Sequence, residues 1–270
     1  MSAAASMIDG THYRRSGSGA PIVLVHGVGA DLEMWEPVAE RLAPLHDVVR
    51  YDMLGHGASA KPPGPYRLDH FIEQLRHLAA GLDLRKFVLA GFSMGGLVAQ
   101  AFALAAPSRV ERLVLVNTVF DRSPQERAAV EARVREVFSG GHEAGIAAAL
   151  ERWFTPAFHA ARPDVVAGVR RRMERNDLAA YGAAYGLFAT ADRELAKRIG
   201  DIMIPTTVLT GADDRRSTAA MAMAMAERFP RGRCHVIPGQ RHMTPLEVPD
   251  LVAAVIAGRP LAADSDIAAQ

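Results

Sequence analysis

The feature that most restricts the fold of this chain is the pentapeptide Gly91-Phe92-Ser93-Met94-Gly95, because of what flanks it. Before it runs a short apolar stretch, Phe87 to Ala90, and after it a helical pattern continues to Ala106. Glycines on either side of a serine permit a tight strand-to-helix turn that lifts the hydroxyl above the edge of a sheet. A helix starting there also aims the positive end of its dipole at the same point. The segment therefore predicts a strand, a sharp turn, a helix and a candidate nucleophile, Ser93.

The rest of the chain repeats that rhythm. Strands are predicted over Pro21 to Val25, Asp47 to Tyr51, Phe87 to Ala90 and Arg112 to Val116, with helices around Met34 to Ala43, Leu68 to Leu82 and Gly95 to Ala106. Such alternation, with strands apolar throughout, predicts a parallel sheet covered on both faces. From about Phe120 to Arg198 only helical patterns occur, opening on the N-cap and N1 pair Ser123-Pro124. Gly140-Gly141, Thr155-Pro156, Arg162-Pro163 and Asn176-Asp177 punctuate that block, which predicts about four helices. Strands then return at Ile204 to Thr210 and Cys234 to Ile237, with helices at Ser217 to Phe229 and Pro245 to Ala257 and a frayed tail from Gly258. The expected fold is α/β, a mostly parallel central sheet with flanking helices. Its core is formed by residues 1–120 and 199–270, with 121–198 inserted as a helical lid.

Bulk properties exclude several other classes. With 49% hydrophobic and 23% charged residues, the 270-residue chain has the composition of a compact globular protein. A net charge of +1, with arginines dispersed among acids, offers no field for a polyanion, so no nucleic-acid partner is expected. The lone cysteine, Cys234, excludes an intramolecular disulfide, reads as a buried strand residue and suits a reducing compartment. Met1 to Gly10 lacks a basic-then-apolar leader, and no run approaches the roughly 18 to 20 apolar residues that cross a bilayer, so no membrane partner and a cytoplasmic location are expected. No metal-ligand spacing is visible, and Ser16-Gly17-Ser18-Gly19 reads as a turn before the first apolar strand rather than a phosphate cradle, so no metal and no cofactor are expected. Oligomeric state stays open.

A serine needs a base to become a nucleophile at neutral pH, and that base needs a carboxylate to hold its tautomer. Of ten histidines, His242 follows the last predicted strand, in Gly239-Gln240-Arg241-His242-Met243-Thr244. His12, His46, His70, His77, His142 and His159 read as surface or helix-face residues, and His235 lies within a strand. For the acid, Thr210-Gly211-Ala212-Asp213-Asp214 leaves the penultimate strand; Asp214 is preferred and Asp213 is the alternative. Two backbone donors for an oxyanion are expected at Val28, in the loop His26-Gly27-Val28-Gly29, and at Met94. In that arrangement His26 shapes the loop rather than moving protons. Asp52 to Ser59 reads as a structural turn, Arg170 to Arg172 with Arg175 as a solvated helix face, and Met221 with Met225 as core.

Taken together, His26-Gly27, Gly55-His56-Gly57-Ala58-Ser59, Gly91 to Gly95, Gly211-Ala212-Asp213-Asp214 and His242 resemble the α/β-hydrolase superfamily, over about Ile22 to Ile256. Ser93, Asp214 and His242 stand in its chain order of nucleophile, acid and base. Arg152-Trp153-Phe154-Thr155-Pro156 and Tyr181-Gly182-Ala183-Ala184, leading to Ala191-Asp192, resemble the 3-oxoadipate enol-lactonase-like group most closely. That resemblance implies a small-molecule substrate, a carboxylate-bearing ester or enol-lactone, held by Arg152 and Trp153 under a closing lid. A guanidinium can grip a carboxylate by two parallel hydrogen bonds, and an indole can wall a small pocket. The same machinery would serve an amide or a carbon–carbon bond of a ring-fission product, and the pocket alone would serve a non-catalytic ligand receptor.

Overall fold

Eight strands form one sheet in the computed structural model, which describes residues 5–138 and 142–260. They are β1 (Ala5–Ile8), β2 (Thr11–Ser16), β3 (Ala20–Val25), β4 (His46–Tyr51), β5 (Phe87–Phe92), β6 (Val110–Val116), β7 (Thr206–Gly211) and β8 (Gly232–Ile237). Their order across the sheet is β1-β2-β4-β3-β5-β6-β7-β8. The first two strands join antiparallel and all later pairs are parallel.

The pleat sorts alternate side chains onto two cores. In β3, Val23 and Val25 enter one cluster and Ile22 and Leu24 the other; β6 divides the same way, with Leu113 and Leu115 opposite Val114 and Val116. Helices α1 (Glu36–Leu42), α2 (Leu68–Gly81) and α3 (Met94–Ala105) lie in the first half. Five more separate β6 from β7: α4 (Pro124–Phe138), α5 (His142–Trp153), α6 (Pro156–Ala161), α7 (Pro163–Glu174) and α8 (Leu178–Ala196). Then come α9 (Ala219–Arg228), α10 (Thr244–Glu247) and α11 (Pro249–Ala257). One core holds residues of α2, α3, α8 and α9, the other residues of α1, α5, α7 and α11. Trp35, Phe102 and Phe154 are wholly buried in these layers; truncating such a ring to alanine costs about 3–5 kcal/mol.

Several local expectations are corrected. The hairpin β1–β2 is absent from the sequence reading because Thr-His-Tyr-Arg-Arg-Ser carries no apolar run. Its legible signal is Asp9-Gly10, a two-residue turn with both residues at positive φ (45° and 72°). The helical block has five helices, not four, because both Thr155-Pro156 and Arg162-Pro163 end one helix and start another. The last predicted helix breaks at Val248-Pro249. Cys234 is half-buried, since β8 is the edge of the sheet. His12 is no surface residue: its imidazole, largely buried, donates to Asp52 at 2.7 Å. Gly140-Gly141 and the tail beyond Pro260 lie outside the described residues.

At Ser123-Pro124 the structure closes a capping box: Ser123 Oγ accepts from the Glu126 amide at 3.2 Å, and the Glu126 carboxylate from the Ser123 amide at 2.8 Å. Among the described residues no helix is long and apolar enough to cross a membrane. The carboxyl ends of β3, β5, β6, β7 and β8 share one edge of the sheet, where the loops bearing Val28, Ser93, Asn117, Asp214 and His242 leave it.

Candidate active site

Ser93 stands between β5 and α3 with φ 52° and ψ −116°, a backbone state that a residue with a side chain rarely adopts. The surroundings impose it. Its amide donates to the Val116 carbonyl at 2.9 Å, while its own carbonyl accepts from Gly96 at 3.0 Å. A Cβ at Gly91 would run into the Gly95 carbonyl, and one at Gly95 into the carbonyls of Val25 and His26. Only glycine lets strand, turn and helix approach so closely.

His242 is held from three sides. Its amide and that of Met243 donate to the Trp153 carbonyl at 3.0 and 3.1 Å, so the end of α5 fixes this loop. The Arg241 guanidinium bonds the carbonyls of Glu151 and Phe154, both at 2.8 Å. Its ring lies 4.9 Å from that of Phe92 and 5.8 Å from that of Trp153. Nδ1 meets Asp214 Oδ2 at 2.6 Å. With the carboxylate accepting, the proton sits on Nδ1 and Nε2 is left as an acceptor.

Asp214 is buried, whereas Asp213 is exposed and its amide donates to the Gln240 carbonyl. Every neighbour of the Asp214 carboxylate is a donor. Oδ1 accepts from the amides of Arg216 (2.9 Å) and Ser217 (3.1 Å), and Oδ2 from His242 and from Asn117 Nδ2 (2.9 Å). Burial alone would raise the carboxyl's pKa, but the His242 charge and these hydrogen bonds bring it below its ordinary value. Asn117, at φ 48° just past β6, is wholly buried and accepts from Thr244 Oγ1 at 2.5 Å, so it links the Asp214 turn to the His242 loop. The sequence reading missed it; its one signal is its place directly after a buried strand on the edge that carries Ser93.

The loop after β3 approaches the serine closely. A Cβ on Gly27 would stand 3.2 Å from Ser93 Cβ, and the next residue is Val28. Met94 opens α3, so its amide has no preceding helical turn to bond. His26 is fully buried: Nε2 accepts from the Met53 amide at 2.8 Å and Nδ1 donates to the Gly27 carbonyl at 2.7 Å. Burial holds its pKa below the ordinary value, with the Asp52 charge opposing. Asp52 in turn accepts from the amides of Leu32 and Ala58, each at 2.8 Å, and its carbonyl from Ser59 Oγ at 2.7 Å. These bonds satisfy a loop with no other ladder to join.

Val28, Ser93, Arg152, Trp153 and His242 line one cavity between the sheet edge and the inserted helices. Arg122, Arg133, Arg172, Arg215 and Arg216 line it too, with Tyr185 among them. Two of these cations have a carboxylate partner. Arg122 pairs with Asp192 at 2.8 Å, both buried, and Arg172 with Asp31 at 3.5 Å. The solvated-face reading is therefore corrected for Arg172: adjacent helical residues point about 100° apart, so Arg171 faces solvent while Arg172 turns inward. Burial first, and then the charges of Arg133 and Arg216, lower the Arg152 pKa to about 10. The buried Arg152 Nε has no hydrogen-bond partner among the described residues.

The alpha/beta hydrolase fold family matches residues 20–249. The chain is 35% identical over 243 residues to an (E)-2-((N-methylformamido)methylene)succinate hydrolase of Acinetobacter baylyi, covering 89% of this chain and 90% of that one. It is 28% identical over 228 residues to 3-oxoadipate enol-lactonase 2 of the same organism, covering 84% of each. The crystal structure of the enol-lactonase from Burkholderia xenovorans superposes with a TM-score of 0.85 at 28% identity, covering 94% of this chain and 98% of that one.

Proposed function

We propose that this chain, which belongs to the alpha/beta hydrolase fold family, is a serine hydrolase cleaving a small carboxylate-bearing ester or enol-lactone through an acyl-enzyme. The observation that carries this reading is the buried 2.6 Å bond from His242 to Asp214, beside a serine held at positive φ on the same cavity. His242 Nε2 takes the Ser93 proton as Oγ attacks the carbonyl carbon, and the amides of Val28 and Met94 receive the oxyanion. Asp214 compensates the imidazolium. The imidazolium then protonates the leaving oxygen; His242 next takes a proton from the water that attacks the acyl-enzyme, and returns it to Ser93 Oγ as the C–Oγ bond breaks and the carboxylic acid leaves.

In this reading residues 121–198 act as a lid, Arg152 grips a substrate carboxylate and Trp153 walls the pocket; the enzyme works in the cytoplasm. Support for the lid comes from Trp153, whose carbonyl holds the His242 loop while its ring lines the cavity. A second reading keeps the residues and changes the bond to an amide or enamide. It is favoured by the relative at 35% identity, whose name describes a formamido compound.

Aryl-ester turnover and labelling by a fluorophosphonate test the mechanism. Wild type is expected to react in both assays and Ser93→Ala in neither; a labelled Ser93→Ala protein or an inert wild type refutes it. Direct turnover of 3-oxoadipate enol-lactone against an enamide of similar size decides the bond. Arg152→Ala should lower kcat/KM for a carboxylate-bearing ester about tenfold more than for a neutral ester of equal size. Equal losses would remove Arg152 as the anion grip.

A further inference from the structure

The cavity carries more positive charge than one substrate carboxylate answers. Arg133 comes from α4, Arg152 from the last turn of α5 and Arg216 from the turn after β7, and all three line the cavity that holds Ser93. Among the described residues none of the three has a carboxylate within ion-pair distance, in contrast to Arg122 and Arg172 on the same wall. Among the described residues Glu126 is the one acid lining the cavity, and its carboxylate already caps α4 through the Ser123 amide. Arg215 lines the cavity as well, with no ion pair among the described residues, so four cations less one anion leave an excess of three positive charges. Tyr185 lines the same cavity as the guanidinium groups of Arg133, Arg152 and Arg216.

Like charges held together without counter-ions are costly, and both the Arg152 and Arg216 pKa values are lowered, burial first and then by the other arginines. The fold tolerates the repulsion by anchoring each residue separately. Arg216 is fixed through its own amide on Asp214 Oδ1, and Arg152 stands beside Trp153, whose carbonyl holds the His242 loop. A ligand bound by the three would therefore touch the turn that carries the acid and the helix whose end anchors the base loop.

We propose that Arg133, Arg152 and Arg216 form a dianion site, and that the natural substrate carries two carboxylates besides the bond to be cleaved. This rests on the hydrolase reading for its substrate and extends it, since a single grip by Arg152 would leave two cations unanswered. Two carboxylates answer two of the three excess charges, and three planar forks offer enough N–H groups to hold both at once. Because α4 and α5 belong to the inserted helices and Arg216 to the sheet edge, the bound dianion fastens the insertion to the core.

The test separates binding from turnover. Succinate and butyrate, of equal carbon count but carrying two charges and one, are titrated calorimetrically into Ser93→Ala protein and into Ser93→Ala carrying Arg133→Gln or Arg216→Gln. Succinate should bind at least about tenfold more tightly than butyrate, and each glutamine should remove most of that ratio. Equal affinity for the two acids overturns the proposal, as does an equal weakening of both in the glutamine variants. Succinate preference in a protein whose wild type hydrolyses no ester or amide would uphold the dianion site and sink the hydrolase reading. Hydrolysis without succinate preference would do the reverse.

Discussion

Replacing Asp214 by asparagine alters one atom and should stop the chemistry. All four neighbours of the carboxylate are donors: two backbone amides on Oδ1, and Asn117 Nδ2 with the His242 Nδ1–H on Oδ2. An amide side chain must turn its NH2 toward one of these pairs. The two backbone amides cannot reverse, so the asparagine oxygen stays with them and its NH2 faces His242. The imidazole then accepts at Nδ1 and carries its proton on Nε2, where it cannot take one from serine. The imidazolium also loses its counter-charge, worth about 4 kcal/mol at about 4 Å and an effective dielectric of 20. That corresponds to a fall of about 10³-fold in kcat, before any cost of the wrong tautomer is added. Asp213→Asn changes an exposed side chain and should leave kcat within about twofold. Steady-state hydrolysis of an aryl ester, with the fluorophosphonate labelling rate of Ser93 as an independent readout, measures both. An Asp214→Asn enzyme within tenfold of wild type, or an equal loss in Asp213→Asn, would refute this reasoning.

Two further predictions concern stability. Asp31 is held at a pKa of about 6, mainly by burial, with Arg172 lowering it and Asp52 raising it. Its folded pKa lies above the unfolded value near 3.9, so the native state binds more protons between about pH 4 and 6 and loses up to about 3 kcal/mol of stability as pH rises through that window. Asp31→Asn lacks this titration, so urea melts should show the variant gaining on wild type from pH 4 to 7; a gap that does not change with pH excludes the effect. Asp192 compensates Arg122, both side chains being buried, and also accepts from the Arg122 amide at 2.8 Å. Asp192→Asn leaves a buried guanidinium uncompensated and should cost about 3–5 kcal/mol in the same assay. A loss below about 1 kcal/mol would mean that water already solvates the pair.

The inner parallel strands β3, β5 and β6 were legible because each carries a short apolar run between turn residues, and burial on both faces requires that pattern. β2 was not, because a strand one place in from the edge, between β1 and β4, can carry His12, Arg14 and Arg15 and still bond both neighbours. The same limit applies at the site. Gly91 to Gly95 and the His242 loop announce themselves by their place after strands, whereas Asn117 looks like any loop asparagine until its amide is seen on Asp214. Arg133 has no sequence signal at all.

What the sequence determined by itself is the turn that presents Ser93, since glycine and apolar spacing act within a few residues and need no distant partner. The order of strand and helix follows for the same reason. Only the tertiary structure decided which of two adjacent aspartates faces His242, that Arg172 turns inward while Arg171 does not, and that Arg133, Arg152 and Arg216 converge from three elements. Those outcomes depend on the direction in which a side chain leaves its backbone, and that direction is set by the packing of segments far apart in the chain.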